Sequence, residues 1–368
     1  MIKEVEVIPY ALPFRKPYVT AMGRLDRRVI VLLRITSADG LTGLGEAVPL
    51  SLRGGTPLES VVGELRAWSE AAPGLEVPSV IPEEEAGTEK TTARIAFDLP
   101  HTDLSAPARC AVETALFDLV ARQAGVPLHE LLSPGRTPLP VPCNATLTTD
   151  SPGGVLMQAE EWAADGFSVF KLKLGSNDDL GQVEAVRSGL GRKAVIRLDA
   201  NGSWGLDQAE DRLARLEPLG IELAEQPVAD LESMAELRKR SPIPLVADES
   251  VSSRSEAEQA GRLGACDAIT VKLSKTGSLD ASLGGYLPTY FSSALDGPVG
   301  IAAAAHAAQT LDRQGDWAGV AHGLATSRLF STTIAAVGCT FDGPNLCLPG
   351  GSGLGVAIDE DSLQAHRL

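Results

Sequence analysis

The 368-residue chain has few basic residues relative to acidic ones, no long apolar run and few cysteines, and each of these shortages argues against particular classes of protein. Lys and Arg number 32 against 48 Asp and Glu, and the net charge of −16 argues against nucleic-acid or anionic-membrane partners. Apolar runs such as 29–33 and 300–305 are far too short to span a bilayer, and the N-terminus lacks the apolar core of a signal peptide. Five scattered cysteines without CxxC spacing indicate a reducing compartment. We therefore expect a soluble, cytoplasmic protein.

The first third of the chain predicts a small α+β unit, which we assign to residues 1–138. Apolar runs at 28–36 and 42–49 flank an Asp-Gly turn, the pattern of a β-hairpin. Two helical stripes follow, one over 58–68 and one over 112–120 that stops at Gly125. The stretch between them, 71–105, has little periodicity and is expected to be mostly exposed loop.

After Pro138 short β-like runs alternate with amphipathic stretches such as 206–219. This alternation predicts βαβ units and a parallel sheet, and eight runs favour a closed barrel over an open sheet. We assign the barrel to 139–325 and expect 326–368 to return to the N-terminal unit. The eight runs are PVPCNATL, FSVFKLKLG, AVIRLDANG, GIELAEQP, IPLVADES, DAITVKLSK, PTYFSSALDG and AGVAHGLA.

Five ionisable residues fall late in five successive runs, at intervals of 26, 26, 23 and 24 residues. Because each interval equals about one βα unit, all five should reach the C-terminal rim of a barrel, where active sites of this fold lie. A charged residue at the end of an apolar strand is costly unless it is paired or binds a metal. These residues are Lys173, Asp199, Glu225, Asp248 and Lys272.

The three carboxylates and the lysines predict a metal-assisted site. An all-oxygen set without His or Cys suits Mg²⁺, although each carboxylate alone could instead cap the next helix. Lys171 and Lys173 are two residues apart and share one strand face, opposite the apolar Leu172. Beside a bound dication their pKa values should be lowered, which would make a neutral amine available as a base.

Together these motifs resemble the enolase superfamily in its muconate-lactonizing subgroup, over nearly the whole chain. The resemblance implies an α/β fold, a modified (β/α)7β TIM barrel with an α+β capping domain, and Mg²⁺-assisted removal of a proton α to a carboxylate, with Mn²⁺ as a substitute. It implies that Lys173 and Lys272 are acid–base groups on opposite substrate faces and that Lys171 tunes Lys173. The implied metal ligands are Asp199, Glu225 and Asp248, and the residues that orient them are Asn201, Gln226 and Glu249.

The resemblance leaves the reaction open. Ser292–Ala302 and His322–Thr326 resemble o-succinylbenzoate synthases, which implies a lyase in which Lys173 alone moves the proton and Lys272 acts electrostatically. Phe341-Asp342-Gly343-Pro344 instead resembles part of the acidic signature of dipeptide epimerases, with Thr340 where one aspartate would be. The alternatives are a dipeptide epimerase or N-acylamino acid racemase, a muconate cycloisomerase, and a metal-binding barrel without activity.

Substrate specificity is expected in two loops of the capping unit, around 20–24 and 51–55. Candidate substrate contacts are Thr20, Arg24, Arg53 and Ser293. The expected partner is a small-molecule carboxylate, with no nucleic acid and no membrane, and the chain is expected to form a homo-oligomer.

Overall fold

The computed structural model describes residues 1–20, 23–49, 55–78, 80–84, 91–95, 103–174, 178–279, 283, 285–311, 315 and 317–368. None of the helices in these ranges is long and apolar enough to cross a membrane.

The N-terminal unit is a three-stranded antiparallel sheet covered by helices. Its elements are β1 (Ile2–Thr20), β2 (Gly23–Ser37), β3 (Thr42–Ala47), α1 (Leu58–Ala71), β4 (Val80–Glu84), β5 (Thr91–Ile95), α2 (Ala106–Ala124) and α3 (Leu128–Leu132). The hairpin and both helices occur where the sequence predicts them, and α2 ends at Gly125 in the left-handed conformation. Val61, Leu65 and Trp68 of α1 are buried, as the helical stripe requires.

The stretch 71–105 departs from its prediction. The structure pairs β4 with β5 as an antiparallel ladder in a region expected to be mostly loop. The β-branched residues of 80–81 and 91–95 favour strands, but each run is too short to produce a clear alternating pattern. The expectation of a loop was therefore wrong for these two segments.

The barrel is built from seven parallel strands that alternate with helices. The short strand β6 (Val141–Pro142) precedes them and belongs to a different sheet. In chain order the barrel elements are β7 (Ala145–Leu147), α4 (Pro152–Ala164), β8 (Val169–Lys173), α5 (Asp179–Leu190), β9 (Val195–Asp199), α6 (Leu206–Leu216), β10 (Ile221–Glu225), α7 (Leu231–Arg238), β11 (Leu245–Ala247), α8 (Arg254–Leu263), β12 (Ala268–Val271), α9 (Leu273–Thr276), β13 (Thr289–Phe291) and α10 (Pro298–Ala308). Strands β7 to β13 pair in sequence order.

The eighth predicted run closes the barrel. Residues 322–323 form parallel bridges to Cys143, just before β7, and to Ser292, just after β13. The amide of Asn144 donates to the His322 carbonyl at 2.9 Å, and the amide of Ser293 donates to the Gly323 carbonyl at 3.0 Å. The predicted fold class, a modified TIM barrel with an α+β cap, is confirmed.

The C-terminal segment packs against both units. It contains β14 (Ala335–Val337), β15 (Thr340–Asp342), β16 (Asn345–Cys347), β17 (Ala357–Ile358) and α11 (Glu360–His366). Strand β16 pairs with β6, and the amide of Leu368 donates to the Pro9 carbonyl of β1 at 3.0 Å. The domain boundaries themselves stay a prediction.

Candidate active site

The charged residues of the strand-like runs converge on one end of the barrel. Lys173 ends β8, Asp199 ends β9 and Glu225 ends β10, and the ladders place Lys173 beside Asp199 and Asp199 beside Glu225. Asp248 and Lys272 directly follow β11 and β12. All five side chains are buried. The structure therefore brings together the five residues that the sequence spacing selects.

The carboxylates do not cap helices. The N-cap positions of the helices that follow them are occupied by other residues: Gly205 for α6, Asp230 for α7 and Ser253 for α8. The side chains of Asp230 and Ser253 accept backbone amides of the first helical turn, as N-caps do. The alternative explanation of the strand-end carboxylates is thus removed, and their burial requires another source of positive charge.

Lysine ammonium groups supply that charge in this structure. The Lys171 Nζ lies 2.9 Å from Asp199 Oδ2 and 2.5 Å from Glu225 Oε1. The Lys173 Nζ donates to Asp199 Oδ2 at 2.5 Å, so Asp199 is shared by both lysines. Lys272 donates to the Asp248 carboxylate. The result is a buried network in which lysines at β8 and after β12 flank carboxylates at the ends of the three strands between them.

The pKa of Lys171 moves in the direction opposite to the one expected beside a dication. Burial lowers this pKa, but the carboxylates of Asp199 and Glu225 raise it by more, so that it lies well above its usual value. The expected lowering assumed a bound dication, whose positive charge would oppose the effect of these carboxylates. Lys171 is a fixed cation in this arrangement.

Two of the predicted orienting residues hydrogen-bond to the aspartates of the site, Asn201 to a side chain and Gln226 to a backbone amide. Asn201 Nδ2 donates to Asp199 Oδ1 at 2.5 Å and to Glu249 Oε1 at 3.2 Å. Gln226 Oε1 accepts from the Asp248 amide at 2.8 Å. Asn201 and Gln226 have positive φ values of 51° and 39°. Such strained positions cost of order 1–3 kcal/mol and concentrate at functional sites.

Two further residues belong to this cluster. The Tyr290 hydroxyl donates to Glu225 Oε2 at 2.9 Å, and burial together with the Glu225 charge raises the pKa of Tyr290, which keeps it a donor. The Lys275 Nζ lies 2.9 Å from Asp248 Oδ1. Sequence reasoning missed both residues. Lys275 follows Lys272 by three residues, one helical turn, and that spacing could have identified it.

The candidate substrate contacts are only partly visible. Ser293 is buried and donates its hydroxyl to Asp296 Oδ2 at 2.6 Å. Arg24 is exposed and pairs with Asp26 at 2.9 Å. Thr20 ends β1, but its side chain is outside the described part of the structure, and so is Arg53. The four substrate contacts therefore stay a prediction.

Asp342, part of the acidic signature noted in the sequence, lies away from the lysines. It ends β15, whose partner β16 pairs with β6 at the N-terminal end of β7. The lysines and carboxylates lie at the C-terminal ends of the strands. The structure therefore does not bring this part of the acidic signature to the lysine–carboxylate site.

The donor set fits a hard dication by its chemistry. Asp199, Glu225 and Asp248 are three buried carboxylates on consecutive strands, and oxygen ligands of this kind suit Mg²⁺. Within the described ranges no three His, Cys, Asp or Glu side chains already form a ready-made metal cage. The ammonium groups of Lys171, Lys173 and Lys272 lie on these oxygens instead.

Comparisons with known proteins match both parts of the chain to one family. Residues 2–133 match the mandelate racemase / muconate lactonizing enzyme N-terminal domain, and residues 154–362 match the enolase C-terminal domain-like family. The chain is 29% identical to an L-Ala-D/L-Glu epimerase of Bacillus subtilis over 96% of both chains. It is 28% identical to muconate cycloisomerase 1 of Acinetobacter baylyi over 100% of both.

A solved structure gives the same result. The chain superposes on a dipeptide epimerase of Enterococcus faecalis complexed with Mg and the dipeptide L-Leu-L-Tyr. The TM-score is 0.84 and the identity 25%, with 97% of this chain and 99% of that chain covered.

Proposed function

The chain belongs to the mandelate racemase / muconate lactonizing enzyme family of the enolase superfamily, and from this premise we propose a Mg²⁺-dependent isomerase that moves the proton α to a substrate carboxylate. The proton leaves one face of the α-carbon and returns on the other, so that the substrate is racemised or epimerised. The observation that carries the proposal is the opposed placement of Lys173 and Lys272.

The strand order sets this placement. Between β8, which bears Lys173, and the end of β12, which bears Lys272, lie β9, β10 and β11. In the other direction lie β7, the closing segment 322–323 and β13. Three members therefore separate the two lysines either way around an eight-membered ring. Two amines half a barrel apart can address opposite faces of a substrate held between them.

Each lysine is anchored by a carboxylate. Lys173 contacts Asp199 and Lys272 contacts Asp248, so their positions are fixed before substrate arrives. In the proposed reaction one Nζ takes the proton and the other delivers one from across the α-carbon. Lys171 lies against Asp199 and Glu225, where its ammonium group would stabilise the developing negative charge.

The carboxylates of Asp199, Glu225 and Asp248 would hold Mg²⁺, which supplies positive charge that stabilises an enediolate when it is bound. Asn201 and Gln226 keep these carboxylates oriented through their own hydrogen bonds. The relatives reported above are an epimerase and a cycloisomerase, which favours an isomerase over a lyase.

Dehydration to o-succinylbenzoate is the second candidate, because the rim segments 292–302 and 322–326 resemble the synthases of that compound. Proton transfer would then use one face only. Lys173 would take the α-proton and return it to the departing hydroxyl, and Lys272 would contribute charge alone.

Proton exchange in D₂O distinguishes these reactions. Both enantiomers of N-acylamino acids, and dipeptides with either configuration at the C-terminal α-carbon, would be incubated with enzyme and Mg²⁺ in D₂O, and α-deuterium would be followed by NMR. An isomerase should label both enantiomers. Lys173→Ala should abolish exchange of one enantiomer and Lys272→Ala that of the other.

Lys239→Ala, which removes an exposed ion pair with Glu236, is the matched control. If the enzyme consumes the cyclohexadiene precursor, seen as a fall in diene absorbance, and Lys173→Ala does not, the synthase would be favoured instead. Cycloisomerisation would be detected as consumption of muconate. Absence of α-exchange with Mg²⁺ bound would contradict the proposed function, whichever of these two conversions occurs.

A further inference from the structure

The loop that joins β13 to α10 is held in a defined shape. Asp296 Oδ2 accepts the Ser293 hydroxyl at 2.6 Å and the Ala294 amide at 2.7 Å, and the Asp296 amide donates to Ser293 Oγ at 2.8 Å. Leu295, between them, has a φ of 67°, in the left-handed region that a leucine rarely adopts. We call residues 293–297 the rim loop. Contacts from outside the rim loop can add to these hydrogen bonds in holding this conformation.

A carboxylate from the N-terminal sheet provides one such restraint. Glu46 of β3 is buried, and its Oε1 accepts the Gly297 amide at 2.5 Å. Its Oε2 accepts the Tyr10 hydroxyl at 3.0 Å and the Val299 amide at 3.3 Å. Glu46 therefore satisfies amides in the first turn of α10, which would otherwise be unpaired at the start of a helix.

Two glycines of the barrel, Gly297 and Gly300, leave room for the Glu46 carboxylate. A Cβ on Gly297 would overlap the Tyr10 hydroxyl and lie 2.7 Å from Glu46 Oε2. A Cβ on Gly300 would lie 2.9 Å from Glu46 Oε1 and 2.8 Å from Asp296 Cβ. Any side chain at either glycine would thus collide with the carboxylate.

A second side chain of the N-terminal sheet holds the other end of the rim loop. Arg28 of β2 is buried, and its Nη2 donates to the Ala294 carbonyl at 3.0 Å and to the Pro49 carbonyl at 2.8 Å. The rim loop is thus fixed at Ala294 by Arg28 and at Gly297 by Glu46.

The rim loop in turn reaches the catalytic end of the barrel. The Ser274 hydroxyl donates to Asp296 Oδ1 at 3.2 Å, and Ser274 lies in α9, two residues after Lys272. Hydrogen bonds therefore connect Glu46 through Gly297 and Asp296 to the turn that carries Lys272. No corresponding contact between the rim loop and β8, which carries Lys173, occurs among the described residues.

We propose that Glu46 is a positioning residue that acts from the N-terminal sheet, through the rim loop, on the turn that carries Lys272. The proposal rests on the proposed function in that Lys272 serves one substrate face and Lys173 the other. It implies that loss of Glu46 impairs proton transfer on the Lys272 face more than on the Lys173 face.

The test uses Glu46→Ala, with Glu46→Gln as the conservative variant. Glu64→Gln is the matched control, because Glu64 accepts hydrogen bonds only from Ser105, within the N-terminal unit, among the contacts described. Glu46→Ala should slow α-deuterium exchange on the Lys272 face about 10- to 100-fold, the effect of a small misplacement of a catalytic group. Exchange on the Lys173 face should fall less than 3-fold, and Glu46→Gln should restore the wild-type ratio of the two faces.

Backbone hydrogen exchange supplies a readout that needs no substrate. In Glu46→Ala the amides of 293–300 should exchange faster, while those of β8 should not change. Equal slowing on both faces, or unchanged exchange at 293–300, would overturn the proposal. If the alanine variant does not fold, Glu46→Asp, which is one methylene shorter, should show the same bias. If wild-type enzyme exchanges no substrate proton, the proposed function fails, and hydrogen exchange still decides whether Glu46 holds the rim loop.

Discussion

Replacing Glu46 by glutamine is expected to remove a large pH dependence from the stability of this protein. Burial, and then the nearby charge of Asp296, raise the pKa of Glu46 from its usual 4.5 to about 8. The hydrogen bonds from Gly297 and Tyr10 oppose this rise only in part. The fold therefore favours the protonated form of Glu46.

The sign follows from proton linkage. Between pH 4.5 and about 8 the folded protein binds a proton on Glu46 that the unfolded chain has lost. The contribution of Glu46 is fully present below pH 4.5 and is lost as the pH rises to about 8. At 1.36 kcal/mol per pH unit this interval corresponds to about 5 kcal/mol. Glutamine does not titrate, so its variant lacks this term.

Urea unfolding at pH 5 and pH 8 measures the effect. Trp68 in α1 and Trp204 in the barrel are both buried, so their fluorescence reports on the two parts of the molecule. The unfolding free energy of wild type minus that of Glu46→Gln should fall by several kcal/mol from pH 5 to pH 8. All other titratable groups are common to both proteins and cancel. A difference that is constant within about 1 kcal/mol would refute the assignment of a protonated, buried Glu46.

Three further predictions concern the lysine–carboxylate cluster. Tyr290→Phe removes the hydrogen bond to Glu225 Oε2. Because an unsatisfied buried acceptor costs about 1–3 kcal/mol, kcat/KM should fall about 10-fold. An unchanged kcat/KM would contradict a role for Tyr290. Lys171→Ala leaves Asp199 and Glu225 short of a buried cation and should destabilise the fold by about 3–5 kcal/mol in urea without Mg²⁺, and by less with Mg²⁺. Chelation by EDTA should abolish turnover, and either Mg²⁺ or Mn²⁺ should restore it; full activity in EDTA would exclude the proposed metal.

The sequence predicts the barrel and the charged end of its strands because both depend on local regularities. A period of about 25 residues places Lys173, Asp199, Glu225, Asp248 and Lys272 on successive units, and parallel strands bring their ends together whatever the details of packing. The eighth run closes the barrel for the same reason, since only its order in the chain matters. These features require no knowledge of which side chains touch.

Contacts between distant segments could not be predicted in this way. Glu46 and Gly297 are 251 residues apart, and Tyr290 and Glu225 are 65 apart. No periodic pattern links such pairs, because they meet only after the N-terminal sheet has packed on the barrel or the barrel has closed. The β4–β5 ladder was missed for a related reason, since two short runs stabilise one another only once they are paired.

Different parts of the molecule hold different parts of the candidate site, and this difference matters because the same lysines are compatible with several reactions. The lysines proposed for proton transfer and the carboxylates proposed to hold Mg²⁺ come from β8 to β12 or the residues directly after them, and they contact one another within the barrel. The rim loop, in contrast, is held by Glu46 and Arg28 from the N-terminal sheet. A change in that sheet could therefore move the Lys272 turn and Ser293 while leaving Lys173 and the three carboxylates in place. Racemisation requires both lysines to reach the α-carbon, whereas a dehydration on one face requires only Lys173. If the proposed role of Glu46 is right, the N-terminal sheet influences the Lys272 face more than the Lys173 face, and the ratio of exchange on the two faces is the quantity that reports it.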